Sequence, residues 1–146
     1  MSLAYVYNPI TGKLDLVNKG QAPGPVDAAK ILVDTGVAGE NISALQLVYL
    51  SDSDTFMVAD NDNYPTAVCA GIALNAATIG SSLDVQLFGK HEDPFWNFTL
   101  NEPLFLSDSV AGQTTETEPT NNHLVRIGHS LGSGAIFINI EDPVII

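Results

Sequence analysis

The sequence is poor in cysteine and in basic residues, and each shortage excludes a class of protein. Cys69 is the only cysteine, so the chain cannot form an internal disulfide, and no spacing of cysteine and histidine is typical of a zinc site. The apolar run AVCAGIAL around Cys69 predicts a small buried strand residue. Five lysines and arginines stand against 17 acidic residues, giving a formal net charge of −12. This charge excludes nucleic-acid binding, because such affinity comes largely from basic side chains that displace counterions from phosphates.

Long apolar runs and helical patterns are also scarce. No run approaches the roughly 20 apolar residues that a membrane-spanning helix needs. The opening MSLAYVYNPITGK lacks the basic and apolar regions of a secretion signal. We therefore expect a soluble protein that is made in a cytoplasm. Only PVDAAKILV and LNAATIG hint at a helix, and both are short.

What the chain has in quantity is short apolar runs of the kind that form strands. These runs are ALQLVYLS, DTFMVA, AVCAGIAL, LDVQLFG, PLFLS, HLVRIGHSL and AIFINIEDPVII. Clusters of Asp, Asn, Ser, Gly and Pro separate them, as expected of turns. The sequence predicts an all-β fold, a compact antiparallel β-sandwich or barrel of about ten short strands with an extended N-terminal arm.

Alternation along two of these runs predicts which side chains share a face. In LDVQLFG, Val85 and Leu87 are expected to point one way, while Asp84 and Gln86 point the other. In AIFINI, three isoleucines are expected on one face. They are Ile136, Ile138 and Ile140.

Residues 1–35 are predicted to form a docking arm, and residues 36–146 the β-domain. The stretch NPITGKLDLVNKGQAPGPVDAA holds three prolines and three glycines, and its apolar pattern is too thin to bury a face of its own. Its apolar clusters favour a segment that becomes ordered against a neighbouring subunit over a flexible leader. The strand-like tail EDPVII is also suited to pair with a neighbour's sheet edge. The candidate interface residues are Leu3, Tyr5, Tyr7, Leu14, Leu16, Val17, Trp96, Val144, Ile145 and Ile146.

An internal near-repeat relates segment 45–89 to segment 101–140. The letters LSDS at 50–53 recur at 106–109, an offset of 56 residues, and GIAL at 71–74 aligns with GHSL at 128–131, an offset of 57. Short β motifs share composition, so two matches leave coincidence open. As a true repeat, the pattern predicts two similar half-domains packed face to face.

The letters GHSLG at 128–132 match the G-x-S-x-G pattern in which serine esterases present their nucleophile. A nucleophile elbow leads into a helix, whereas GSGAIFINI predicts a turn and another strand. No histidine follows Ser130 to complete a triad in the required order. We therefore predict that the protein is not an enzyme and has no catalytic residue, and we expect Ser130 on the exposed side of a strand.

The remaining candidates for chemistry have simpler structural explanations. Four aspartates in SDSDTFMVADNDN offer oxygen ligands for calcium, but they lack the glycine and glutamate of an EF-hand loop, so solvated turns explain them better. These residues are Asp52, Asp54, Asp60 and Asp62. The three histidines stand apart and predict surface or strand residues. They are His91, His123 and His129. Trp96, Phe95 and Phe98 form the densest aromatic cluster, which favours core packing or a subunit contact over sugar binding. We predict no cofactor and no metal.

Five segments carry a resemblance to a known type of domain. They are SALQLVYLSDSDTFMVADN, AGIALNAATIGSSLDVQLFG, DPFWNFTLNEPLFLS, GQTTETEP and VRIGHSLGSGAIFINIEDPVII. From about residue 42 to residue 146 the chain resembles a β-domain of tailed-bacteriophage virion structural proteins, of the decoration, fibre and appendage type. The opening YNPITGKLDLV resembles the leaders of such domains. The chain departs from the pattern at residues 100–102, where a Pro-Gly turn is frequent, and at residues 129–130, where smaller apolar residues are usual.

The resemblance implies a non-enzymatic virion component, usually multimeric. We expect a capsid decoration, or cement, protein that clips neighbouring head subunits, because symmetry multiplies each apolar contact over the shell. The alternative is a fibre, spike or tail-appendage module for host attachment. The expected partners are the major capsid protein or another virion protein and further copies of the chain, as a homotrimer, with no nucleic acid and no membrane. The expected location is the virion, after synthesis in the host cytoplasm.

Overall fold

The computed structural model describes residues 3–8, 13–18 and 31–146, the first two ranges as backbone only. This part of the chain is nearly all β-structure, which confirms the predicted class. The strands are β1 Leu3–Asn8, β2 Lys13–Asn18, β3 Ile31–Ala38, β4 Leu47–Leu50, β5 Thr55–Val58, β6 Cys69–Ala73, β7 Ser82–Glu92, β8 Pro103–Leu106, β9 Thr114–Thr115, β10 His123–Leu124, β11 Arg126–Ser130, β12 Ala135–Asn139 and β13 Val144–Ile145. A single helical turn, α1, spans Tyr64–Ala67. None of the helical structure in the described ranges has the length and apolar character needed to cross a membrane.

Five strands close into a barrel, as the predicted barrel architecture requires. Their order is β3-β5-β4-β6-β7, and β3 closes the ring by pairing in parallel with β5 and antiparallel with β7. Successive residues of a strand point to opposite faces, so alternate apolar side chains form the barrel core. The core consists of Ala38, Ile42, Val48, Phe56, Ala73, Ala77, Leu83 and Val85.

Four more strands continue the sheet from β7 in the order β12-β11-β8-β9. They pack on the outer face of β4 and β6, which contribute Leu47 and Ile72 to a second core. Its fully buried members from the added strands and the segment before β11 are Leu104, Leu106, Val125, Ile127, Ile136 and Ile138. Burial of each such side chain contributes roughly 1.5–3 kcal/mol relative to exposure, so this second core holds the two halves together.

The predicted common face of the three isoleucines is confirmed. Ile136 and Ile138 on β12 are fully buried, and Ile140, just beyond the strand, is partly buried against the same core. Strict alternation holds here because β12 pairs on both sides without a register shift.

The two repeat segments have the same strand-pairing pattern. The β4–β6 ladder pairs Leu47↔Ile72, Val48↔Gly71 and Tyr49↔Cys69. The β8–β11 ladder pairs Pro103↔His129, Leu104↔Gly128 and Phe105↔Arg126. Each residue of the second ladder lies 56 or 57 positions after its counterpart, and both ladders skip one residue at the same point. Each ladder is flanked on one side by the strand that follows its first strand, β5 or β9, and on the other by the strand that follows its second strand, β7 or β12.

The predicted alternation along β7 holds at residues 85–87, although both faces of the strand are covered. Val85 and Leu87 contact the barrel core, and a bulge places Leu87 opposite the Leu32–Val33 step of β3. Gln86 pairs with Ile72 of the second core, and it is only 3% exposed because this face is also covered. Its side-chain amide donates to the carbonyl oxygens of Phe88 and Lys90 at 3.2 and 2.9 Å. Gln86 thus points away from Val85 and Leu87, as predicted, but toward a second buried layer and not toward solvent.

The N-terminal segment contains a hairpin and then joins the barrel. β1 and β2 pair antiparallel, in a register that sets Tyr5 opposite Leu16 and Tyr7 opposite Leu14. The side-chain contacts predicted for residues 3, 5, 7, 14, 16 and 17 lie outside the described residues. Because β3 begins at Ile31 and pairs with β7, residues 31–35 of the predicted arm belong to the barrel sheet.

Neither of the two segments with a weak helical pattern is helical in its described residues. PVDAAKILV begins outside the described residues, and its last three residues start β3 as a strand. LNAATIG is not helical, because it forms turns around a single bridge between Ile42 and Ala77. Backbone hydrogen bonds between these two residues, at 2.8 and 2.9 Å, hold the loop against the barrel.

Candidate functional site

An open groove of about 540 Å³ lies beside β9, the last strand of the nine-stranded sheet. Its volume falls within the range of roughly 300–1,000 Å³ that is common for binding sites. Three segments line it, residues 44–46, 95–98 and 110–114. None of the lining side chains is charged, although the chain carries a net charge of −12. The groove is therefore an uncharged, partly aromatic concavity on an acidic protein.

The aromatic wall of the groove follows directly after the end of β7. The Asp93 carboxylate accepts a hydrogen bond from the Phe95 N–H at 2.8 Å, and its carbonyl accepts one from the Trp96 N–H at 3.2 Å. Such side-chain bonds to the backbone are how Asp stabilises turns. The Gly134 N–H donates to the Trp96 carbonyl at 2.9 Å. These bonds fix the aromatic segment against the turn between β11 and β12.

The predicted aromatic cluster is divided between core and surface. Trp96 packs against the second core, with its ring 5.4 Å from that of His91 and 5.9 Å from that of Phe98. Phe95, next in sequence, is 92% exposed. An aromatic residue anchored in the core beside a fully presented one is typical of a contact surface.

His91 supports this wall from behind in its neutral form. Burial lowers the pKa of His91, and the nearby charges of Asp93 and Glu92 oppose this effect only in part. The Nδ1 atom of His91 lies 3.0 Å from the Oε1 atom of the buried Gln86. The wall is thus stabilised by a neutral polar contact and introduces no positive charge beside the groove.

The opposite wall turns at Gly112. This residue has a φ of +72°, and a Cβ atom there would lie 2.7 Å from the Cγ1 atom of Val58, so only glycine fits. The Gly112 N–H donates to the Ala59 carbonyl at 2.8 Å, and the Gly112 carbonyl accepts from the Leu47 N–H at 2.8 Å. The wall is therefore fastened to the barrel by backbone hydrogen bonds.

Two features that are unfavourable in free energy lie at this groove. Leu45, in its floor, has a φ of +71°, a conformation that costs a residue with a side chain about 1–3 kcal/mol. The Thr114 hydroxyl is buried and has no hydrogen-bond partner among the described residues. Backbone strain and unsatisfied buried polar atoms collect at functional sites, which makes the groove the strongest candidate site.

The G-x-S-x-G motif does not form a nucleophile elbow. β11 runs through it, and a turn leads into the strand β12 instead of a helix. A bulge at Ile127, between Arg126 and Gly128, shifts the alternation, so Ser130 is 0% exposed. The Ser130 Oγ accepts a hydrogen bond from the Gly132 N–H at 3.0 Å. The prediction that Ser130 lies on the exposed side of the strand is wrong.

Cys69 is buried, as predicted, with 8% of its surface exposed on β6. Burial raises the pKa of its thiol to about 12. Because the thiolate is the nucleophilic form of cysteine, this residue is unreactive in the folded protein near neutral pH.

The acidic turns and His123 have structural partners. The Asp62 carboxylate accepts from the Asn122 amide at 2.8 Å, and the Nδ1 atom of His123 lies 2.9 Å from the Asn61 carbonyl oxygen. Across residues 31–146 and the two described N-terminal strands, no three His, Cys, Asp or Glu side chains are grouped as metal ligands. These contacts join the loop that carries α1 to the loop before β10.

The C-terminal residues predicted as interface pair with their own chain and keep their side chains exposed. β13 pairs antiparallel with β10, and the Ile146 N–H donates to the Asn122 carbonyl at 3.1 Å. Val144, Ile145 and Ile146 are nevertheless 58%, 77% and 50% exposed. The tail thus presents apolar side chains to solvent on a fixed backbone.

A second exposed apolar strip lies at the start of β3. Ile31, Leu32 and Val33 are 51%, 56% and 43% exposed. Phe88 of β7, opposite Leu32 in the ladder, is also exposed. Leu32 and Phe88 share one face of this ladder, and contiguous exposed apolar side chains mark an interaction surface more often than isolated ones.

The aromatic wall is visible in the sequence, whereas the rest of the groove is not. Residues 44–46 precede β4 and residues 110–114 lie 64 or more positions later (110 − 46). They meet only because β8 and β9 fold onto the barrel. Gly112, in VAGQTT, is the one local signal, and it reads as an ordinary turn.

No protein-family model matches the chain, and comparison with curated proteins also gives no match. Function is therefore inferred from the groove, the exposed apolar ends and the charge of the molecule.

Proposed function

We propose that this protein is a non-enzymatic structural component of a tailed-phage virion, a decoration protein that clips neighbouring head subunits. The observation that carries the proposal is the exposure of apolar side chains in two regions of the β-domain. Ile31, Leu32 and Val33 stand where the chain enters the barrel, and Val144, Ile145 and Ile146 lie at and after β13. A clip needs two such contact regions on one rigid body.

The energetics of a shell support this role. Each apolar square ångström buried between subunits contributes roughly 25 cal/mol, and the symmetry of a shell repeats that contribution at every equivalent contact. A net charge of −12 keeps the body off packaged DNA, since like charges repel, and favours an outward-facing position.

The test is localisation by cryo-electron microscopy of purified virions. We expect density for the β-body on the outer surface of the head, at sites where capsid subunits meet. Density on the tail would overturn the decoration role and leave an appendage role. Absence of the protein from purified particles would overturn both.

The alternative, a module for host attachment, is favoured by one observation. Phe95 is 92% exposed beside Trp96 in an uncharged groove, an arrangement in which an aromatic face can stack on a sugar ring. Its test is binding to a glycan array, compared between the native protein, Phe95→Ala and the control Ile79→Ala. Ile79 is 69% exposed and lies outside the groove. Loss of binding in Phe95→Ala alone would support attachment.

Removal of residues 1–30 separates the two roles. The cut is placed before Ile31 because β3 closes the barrel and must remain. A clip whose predicted N-terminal arm also docks on the head loses affinity for the head with this segment, whereas an attachment module keeps its affinity for cells. Far-ultraviolet circular dichroism of the truncated protein checks that the β-body stays folded.

A further inference from the structure

The position beside the hairpin strand is occupied in the first half of the molecule. There β3 lies parallel to β5 and closes the barrel. The Val37 N–H donates to the Asp54 carbonyl at 2.8 Å, and the Gly39 N–H donates to the Phe56 carbonyl at 2.8 Å. The outer edge of β5 is thereby satisfied by a strand that arrives from the N-terminal side of the chain.

The equivalent position in the second half has no strand among the described residues. Thr114 of β9 stands where Phe56 stands in β5, since Leu106 pairs with Thr114 as Leu50 pairs with Phe56. The Ser107 N–H donates to the Gln113 carbonyl at 2.9 Å. Antiparallel ladders alternate their hydrogen-bonded pairs, so the backbone N–H and carbonyl of Thr114 point away from β8 and toward the groove.

The surroundings of the Thr114 side chain also indicate a sheet edge that lacks a neighbouring strand among the described residues. The Thr114 hydroxyl is buried without a partner among the described residues, and β9 is the last strand of its sheet. An added strand would supply backbone groups to this edge, and would cover the exposed Phe95 and Val110 at the two rims of the groove. Addition of a strand to a free sheet edge is a common mode of peptide recognition.

We propose that this groove receives the edge of strand β1 from a neighbouring copy of the chain, so that the second half is completed in trans as β3 completes the first half in cis. The proposal goes beyond the virion role, because it concerns self-association in solution and can be measured without any virion.

The composition of β1 fits the groove. LAYVYN holds no charged residue, whereas β2, KLDLVN, holds Lys13 and Asp15. An uncharged strand suits a lining without charge, since a charged residue buried there would lack a partner. β1 and β2 form a two-stranded sheet of their own, and such a hairpin is marginally stable in water until other structure covers it.

The start of β3 favours binding of β1 in the groove of a neighbouring copy over binding in the groove of its own chain. The ladder between β3 and β7 stops at Ile31 opposite Gly89. The buried Gln86 amide donates to the Phe88 carbonyl within this ladder and to the Lys90 carbonyl beyond it, so β7 offers fewer free acceptors to the chain that precedes Ile31. The exposed apolar strip at the start of β3 then becomes part of the same contact between copies.

Trp96 makes the contact measurable, because it is the only tryptophan in the chain and it lines the groove. Sedimentation velocity and tryptophan emission are recorded on the full-length protein over a dilution series. We expect an oligomer that dissociates on dilution, with the emission of Trp96 shifting to longer wavelength as the groove is exposed to water. The variant Val110→Asp introduces a carboxylate into the groove and should weaken association about a hundredfold or more. The matched control Ile79→Asp, outside the groove, should associate like the native protein.

Mixing two defective variants tests whether the two surfaces complement each other. Tyr5→Asp introduces a charge into β1 and keeps the groove intact, whereas Val110→Asp keeps β1 intact. Each variant alone should remain monomeric, and an equimolar mixture should form heterodimers, because one intact groove meets one intact β1. Failure of the mixture to associate would overturn the proposal.

Two further results would overturn the proposal while leaving the virion role untouched. A native protein that is monomeric at all concentrations, with Trp96 already shielded, would place β1 in the groove of its own chain. A native oligomer that persists in Val110→Asp would place the contact between copies elsewhere. Either result leaves cryo-electron microscopy of virions as an independent test of location.

Discussion

Thr114 and Thr115 are adjacent residues of β9, and of their two hydroxyls only that of Thr115 has a hydrogen-bond partner among the described residues. Replacement of Thr114 by valine should therefore raise the free energy of unfolding, and replacement of Thr115 by valine should lower it. The Thr114 Oγ1 atom is buried and lacks a hydrogen-bond partner among the described residues. The Thr115 Oγ1 atom accepts a hydrogen bond from the Thr117 N–H at 3.0 Å. Valine has nearly the shape of threonine without the hydroxyl, so each substitution removes only the polar atom.

The expected magnitudes follow from the environment of each hydroxyl. A buried, unsatisfied hydroxyl costs about 1–3 kcal/mol, so Thr114→Val should raise the free energy of unfolding by about 1 kcal/mol and Tm by about 3 °C. Thr115→Val leaves an N–H without its acceptor and should lower the free energy of unfolding by about 0.5–1 kcal/mol. Urea unfolding followed by Trp96 fluorescence measures both, at a protein concentration low enough for the chain to be monomeric. Destabilisation by Thr114→Val would refute the reasoning, because it would mean that the Thr114 hydroxyl is bonded.

Three further outcomes are expected. Gly71→Ala and Gly128→Ala should each lower stability by about 3 kcal/mol or more in urea titrations, because a Cβ atom would clash with the backbone of Gln86 and of Phe137. Ser130→Ala should leave p-nitrophenyl ester hydrolysis at the buffer rate, equal to the native protein, and should lower the urea midpoint through loss of the bond to Gly132. The pKa of Cys69 is raised from 9.0 to about 12 by burial, so the unfolded state ionises first and stability should fall by up to about 1.4 kcal/mol per pH unit between these values. In Cys69→Ala this contribution disappears, and a thiol reagent should label native Cys69 only after unfolding.

The strand content could be predicted because apolar runs and turn residues are local signals. Ile136 and Ile138 were placed correctly, since β12 has no register shift on either side. The prediction for Ser130 is wrong, because a bulge at Ile127 adds a residue that moves the following side chains to the other face. Alternation read from sequence has no means of detecting that extra residue.

The groove shows the same limit at longer range. The aromatic segment around Trp96 stands out by composition, so this wall of the groove can be predicted from the sequence. Leu45 adopts a positive φ, which a leucine at this position in the sequence does not predict. The wall around Gly112 is positioned by the β8–β9 hairpin of the other half. Sites that form between distant segments depend on topology, and a single sequence predicts topology least well.

β7 belongs to both halves of the molecule. Seven of its first eight residues pair with β3, two of these also pair with β6, and its last five residues pair with β12. The barrel core and the second core are consequently built on one continuous backbone of 11 residues. Separation of either half from this strand would also expose the core of the other half to water. The two halves should therefore unfold in a single transition. Amide protons along the strand should exchange with solvent only through global unfolding. A chain with a twofold pairing pattern should therefore unfold as one cooperative unit, because a force that separates either half also acts on the strand that the other half shares.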